Sequence, residues 1–201
     1  MTESETLENK FERTVKRVIR GELGDFLGWK LTLPEEMSPE AQMAYIFLGF
    51  DIAGIIDTSG PGLIGYISVG FNEEVSIKLT MSLLGTYTPK IVDIYSAPDV
   101  VTDGKDPYAE LNLVAASQIN EEVEDAVREM ANFTAGRMKA LLDKEGVKFS
   151  IGLPMIIVGK NMTTFATFPM IGKSQHFTVQ EGYGCVEFAI QDLNKQQASA
   201  S

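Results

Sequence analysis

A chain of 201 residues with 44% hydrophobic content is long enough to bury a core of its own, as one domain or one domain with an insertion. Its formal net charge of −11 disfavours nucleic acid and anionic membrane as partners, because phosphate groups attract basic surfaces. A single cysteine, Cys185, rules out an intramolecular disulfide, and a single histidine, His176, leaves no Cys/His zinc set and no triad that does not use His176 itself.

The opening segment MTESETLENK is polar and acidic, unlike a secretory signal, and no run approaches the ~20 apolar residues of a membrane span. A cytoplasmic location is the resulting expectation. Residues 5–27 read as a first helix, with Leu7, Phe11, Val15, Val18 and Leu23 as its apolar stripe and Gly28 as its stop. WKLTL, residues 29–33, reads as a short strand, and PEEMSPE as a polar turn. Residues 42–58 and 62–71 are β-branched, aromatic and glycine-rich. They read as a hairpin whose turn is SGPG.

A second helix is expected over residues 73–84. Asn72 would be its N-cap, Glu73 and Glu74 suit its positive end, and Gly85 would be its C′ residue. Residues 86–116 carry three prolines and an Asp-Gly pair. This is too long for a simple connection, so it reads as an insertion. A third helix follows over 118–145, acidic in its first turns and stopped by Gly146. Strands are expected at 148–158, 162–169, 175–181 and 184–190, within a single domain over 1–192 and ahead of a flexible tail at 193–201. Runs of strands set between helices indicate an α+β fold, with helices on an antiparallel or mixed sheet. Cys185 reads as a small buried thiol, His176 as a strand residue without a nucleophile nearby, and Met130, Met138 and Met155 as core.

The third helix carries a pattern that composition does not explain. Asp125, Glu129, Asn132 and Gly136 recur at steps of four, three and four, so at ~100° per residue they share one narrow sector. Val123, Val127, Met130, Thr134, Met138 and Leu141 centre on the opposite side. Carboxylates commonly cover exposed helix faces for solubility alone. Asn132 and Gly136 are different, because asparagine is a weak helix former and glycine costs about 1 kcal/mol relative to alanine in a helix interior. A face that tolerates both suits a close partner: an amide with one donor and one acceptor group, a carboxylate for a cation, and a glycine that leaves room.

The stretch DAVREMANFTAGRMKALLDKEGVKFSIGLPMIIVG resembles the catalytic segment of the CheX/CheC/FliY family of chemotaxis phosphatases. That segment has Asp or Ser, three residues, Glu, two residues, Asn, and a proline farther on. Asp125, Glu129, Asn132 and Pro154 match in that order. FDIAGIIDTSGPGLIGYISVGFNEEVSIKLTMSLLG is similar to the hairpin and helix that precede the catalytic helix, and FERTVKRVIRGELGDFLGWKL to the first helix and strand.

The resemblance implies the CheC-like fold, a mostly antiparallel sheet with long helices packed on one face. It also implies hydrolysis of the aspartyl-phosphate of a CheY-like receiver domain. Asn132 would orient the attacking water and Glu129 would pair with the receiver's lysine. Asp125 would be a peripheral partner contact, Gly136 would give the partner room, and Pro154 would be structural. The chain would hold no cofactor of its own, because Mg²⁺ comes with the receiver. The first helix lacks Glu-x-x-Asn, so one site per chain is implied, as in CheX rather than CheC. A homodimer joined through sheet edges is implied as well. The alternative is a non-catalytic module of the same fold, like the middle domain of FliM, with the insertion at 86–116 selecting or blocking a partner.

Overall fold

The computed structural model describes residues 5–36, 49–85, 119–163, 170–179 and 182–194. The insertion expected at 86–116 and the first part of the expected strand at 42–58 lie outside these residues, as does most of the tail.

Helix α1 (Leu7–Arg17) starts at Thr6, whose side chain accepts a hydrogen bond from the Asn9 amide at 3.2 Å. It buries Phe11, Thr14 and Val15. The spiral continues through a π-helical turn over Val18–Leu23 into α2 (Gly24–Leu27), and Gly28 ends it at φ 65°, a left-handed conformation that glycine adopts without steric cost. The expected strand at 29–33 is reduced to one bridge, Thr32 to Thr178. Trp29 instead fixes this segment by donating from its indole Nε1 to Ser82 Oγ at 3.2 Å.

Strands β1 (Phe50–Gly60) and β2 (Leu63–Phe71) form the expected hairpin, in register from Ile52↔Phe71 to Gly60↔Leu63 around Pro61 and Gly62. Helix α3 (Glu73–Leu83) follows, with Asn72 at its N-cap position. The Asn72 side chain does not cap the helix. Its Oδ1 accepts from the Tyr183 amide, while Asp51 Oδ2 takes the Glu73 amide at 2.9 Å. Helix α4 (Glu121–Lys144) is the long third helix, and Gly146 at φ 81° follows it.

Strands β3 (Ser150–Met162), β4 (Ile171–Val179) and β5 (Gly182–Asp192) complete a five-stranded sheet. Its order is β3-β1-β2-β5-β4, and every neighbouring pair is antiparallel. The break expected between 158 and 162 does not occur. β3 runs through it, and Asn161 takes the local strain at φ 48° while its side chain accepts from the Gly49 amide. The tail begins tied down, because the Leu193 amide donates to the Gly62 carbonyl at 2.9 Å.

The core lies between one face of the sheet and the helices. Ile52, Ile56, Ile67, Phe71, Val186 and Phe188 meet Phe11, Val15, Leu79, Val127, Met130 and Met138 there. Met130 and Met138 are fully buried as expected. Met155 is not core: it is 59% exposed, because it alternates with core-packed Ile156 and shares with Ile55 the sheet face turned away from the helices.

Candidate active site on the long helix

Asn120 Oδ1 accepts the Val123 amide at 3.0 Å and opens α4, with Glu121, Glu122 and Glu124 at the positive end of the helix dipole. The far end is held by α1. Lys10 donates to the Glu145 carbonyl at 3.2 Å, and Arg13 meets the Glu145 carboxylate at 2.8 Å. That pairing holds the Glu145 carboxyl below the usual carboxylate range. One face is sunk into the core through Val123, Val127, Met130, Thr134 and Met138, the side read from the sequence. The helix lies close on β1, because Gly54 presents no side chain toward Ala131 and the Val127 carbonyl.

The opposite face is solvent-exposed at Asp125, Glu129 and Asn132 and half-buried at Gly136. Asp125 is held by Arg128 one turn on, so its charge is partly spent within the helix. Glu129 and Asn132 make no side-chain hydrogen bond or ion pair among the described residues. At i,i+3 their Cβ atoms are neighbours, about 5–6 Å apart. A Cβ added to Gly136 would meet nothing within 4 Å, so the surface beside the pair is open. Carboxylate, amide and notch therefore form one accessible edge on a helix fixed at both ends. An edge of this kind can place a hydrogen-bonding amide against an external reacting group at little entropic cost.

Sequence reasoning did not single out the flank of this edge. Phe133, half-buried, stacks on Phe26 with ring centroids 4.2 Å apart. Arg137 lies over the Phe133 ring at 5.1 Å and reaches Glu22 at 3.5 Å. The available signal was Phe26 itself, an aromatic residue off the first helix's apolar stripe.

The remaining titratable groups of note lie on the sheet face turned away from α4. Glu187 is 6% exposed and accepts from Ser68 Oγ at 3.1 Å and Ser174 Oγ at 2.7 Å. Burial pushes its carboxyl above the usual range. Burial likewise raises the Cys185 thiol and lowers the His176 imidazole, which fits an unreactive thiol and a neutral ring. Among the described residues no group of three His, Cys, Asp or Glu side chains could hold a metal ion. No helix among them is long and apolar enough to cross a membrane.

The family model described as Chemotaxis phosphatase CheX matches residues 109–176, a span that contains Asp125, Glu129, Asn132, Gly136 and Pro154. The CheC-like superfamily protein from Shewanella sp. PV-4 superposes with a TM-score of 0.64, at 19% identity, over 93% of this chain and 99% of that one. The fold is CheC-like. CheX from Vibrio vulnificus is similar at a TM-score of 0.60 and 21% identity, over 91% of this chain and 95% of that one. CheX from Borrelia burgdorferi, solved as a CheX–CheY–BeF₃–Mg²⁺ complex, gives 0.54 and 18%, over 93% and 99%. No curated protein matches the chain. The α+β reading and the resemblance to CheX and CheC-like proteins are thus met by the sheet, by the helices on its one face, and by these matches.

Proposed function

We propose that this chain is a phosphatase of phosphorylated CheY-like receiver domains, with Glu129 and Asn132 as its working residues. The observation that carries the reading is the free Glu129–Asn132 edge on α4, inside the segment that the CheX family model matches. An acyl phosphate is already reactive, and phosphoryl transfer depends mostly on positioning and charge stabilisation. The receiver brings its own Mg²⁺ and lysine, so what an outside protein supplies is a water held in line with the bond that breaks. The Asn132 carboxamide would accept and donate hydrogen bonds to that water. Glu129, one turn earlier, would pair with the receiver's lysine and set the register. Asp125 would contact the partner's periphery, and Gly136 would admit its backbone.

In the Borrelia burgdorferi protein's structure, a CheX chain is bound to a CheY chain carrying beryllofluoride and Mg²⁺, which supports the choice of partner. The homodimer implied by the resemblance is part of the same proposal.

The test is dephosphorylation of the host's receiver domains, charged by a small phosphodonor with Mg²⁺. One receiver should lose phosphate faster with wild type and not with Asn132→Ala or Glu129→Ala. If Asn132→Ala works as well as wild type while binding persists, the chain is an adaptor of this fold and not an enzyme.

A further inference from the structure

The stacked pair Phe26–Phe133 flanks the Glu129–Asn132 edge, with Phe133 about 100° round α4 from Asn132. Phe133 follows Asn132 in the chain and lies one turn, i,i+4, from Glu129. Gly136 lies i,i+3 from Phe133 and i,i+4 from Asn132, so its open notch borders both one turn further along the helix. Phe26, stacked on Phe133, thus lies on the flank of α4 beside the notch.

Phe26 is 42% exposed, yet it is not loose. Its ring lies 4.2 Å from that of Phe133 at an interplanar angle of 29°. Arg137 lies over the Phe133 ring, and Glu22 reaches Arg137 at 3.5 Å. The arrangement is therefore preorganised, and the guanidinium charge is answered within the chain. What faces outward is an apolar platform beside one carboxylate. Rigid aromatic groups of this kind contribute to recognition because little side-chain freedom is lost on contact.

A π-helical turn precedes Phe26 in the chain. Ile19, Leu23 and Leu27 are buried at steps of four. On an uninterrupted α-helix such steps drift by about 40° each, spreading the three across an ordinary apolar stripe. The π-helical turn over Val18–Leu23 takes about one more residue per turn and absorbs that drift. Ile19 and Leu23 stay in the core, and Glu22 and Phe26 fall against the flank of α4. Turns of this kind are uncommon and concentrate at functional sites.

We infer that Phe26, seated on Phe133, is a specificity-determining contact for the receiver domain. It would favour receivers that present an apolar, uncharged side chain next to the phosphorylated aspartate. The inference rests on the phosphatase reading of Glu129 and Asn132. The experiment uses the full chain and the receiver that wild type dephosphorylates, followed over a range of receiver concentrations. Binding is measured separately to that receiver held by beryllofluoride and Mg²⁺.

Phe26→Ala should raise the half-saturating receiver concentration and the Kd together by roughly tenfold, with kcat and melting temperature kept. Phe26→Leu, which keeps apolar area, should recover most of the affinity. Asn132→Ala should do the reverse, losing kcat while binding the beryllofluoride form. If Asn132→Ala is inactive but Phe26→Ala leaves half-saturation and Kd unchanged, the platform is not a contact and the phosphatase reading stands. If Phe26→Ala lowers kcat and melting temperature without moving Kd, its role is structural and the inference fails. If Asn132→Ala retains full activity, both ideas fall.

Discussion

Gly54 and Ala131 meet where α4 crosses β1: a Cβ on Gly54 would stand 2.6 Å from that of Ala131 and 3.3 Å from the Val127 carbonyl oxygen. The helix that carries Glu129 and Asn132 is thus set at its depth by a missing side chain in the sheet beneath it. Gly54→Val should lift α4 and overpack the core, at a cost of about 1–3 kcal/mol. Chemical denaturation would read the loss. The proposed phosphatase activity per folded molecule should fall as well, because a displacement of the helix misplaces the amide. Unchanged stability would mean that α4 does not rest on this contact.

Gly136 makes an opposite pair of expectations. Nothing lies within 4 Å of a Cβ there, so Gly136→Ala adds no clash and removes glycine's entropic cost. It should stabilise the protein by about 0.5–1 kcal/mol in urea unfolding. Gly136→Trp should leave the fold intact but fill the notch between Asn132 and Phe133. It should then abolish receiver dephosphorylation. Full activity in the tryptophan variant would show that no partner enters there.

The sequence made the helices and the hairpin readable because each rule there is local. Gly28, Gly85 and Gly146 stand at the helix ends expected of them, and Asn72 holds its N-cap position although its side chain does not cap. The stripe on α4 was legible because burial on one helix face forces a period, and Asp125, Glu129, Asn132 and Gly136 kept outside it. What could not be read depends on neighbours distant in the chain. WKLTL lost its ladder because only Thr32 reaches β4, and Trp29 turns aside to Ser82. The GKN run at 159–161 looked like a break, but pairing with β1 carries β3 through it. Met155 read as core because the letters alone do not tell which face of the strand the helices cover. Phe26 reached α4 only through a π-helical turn that no letter announces. Which residues perform catalysis is a matter of chemistry with a partner, and the Glu129–Asn132 edge fits that chemistry without being tested by the fold.

Glu187 gives a pH prediction. Burial raises its carboxyl above the ordinary glutamate value of 4.5, so the folded state keeps a proton that the unfolded chain releases. By linkage, this group's contribution is full below the unfolded value and is lost as pH rises through the higher folded one. Glu187→Gln removes the titration and keeps an oxygen to accept from one of the two serine hydroxyls and an NH2 to donate to the other. The variant should gain on wild type as pH climbs from about 4.5, with the difference levelling off above the folded pKa. Melting temperatures of both proteins across that range would check the slope. A wild type that gains on the variant as pH rises would reverse the sign and show the carboxylate to be stabilised in place.

The two edges of the sheet differ in a way that bears on self-association. β4 is covered at Thr178 by the bridge from Thr32, and Lys173 on it is paired with Glu8 and Glu12. A bridged edge that carries lysine resists further pairing. β3 is the other edge, and it exposes Leu153 at 91% and Met155 at 59%. Pro154 between them lacks an N–H, so an unbroken ladder is short of one donor and side-chain packing would have to supply the contact. If the proposed homodimer forms through β3, replacing both Leu153 and Met155 by Asp should shift the protein to monomer in sedimentation equilibrium. Melting temperature at high dilution should be little changed, because both side chains are exposed in the single chain. A dimer that survives the double substitution would place the contact on another surface.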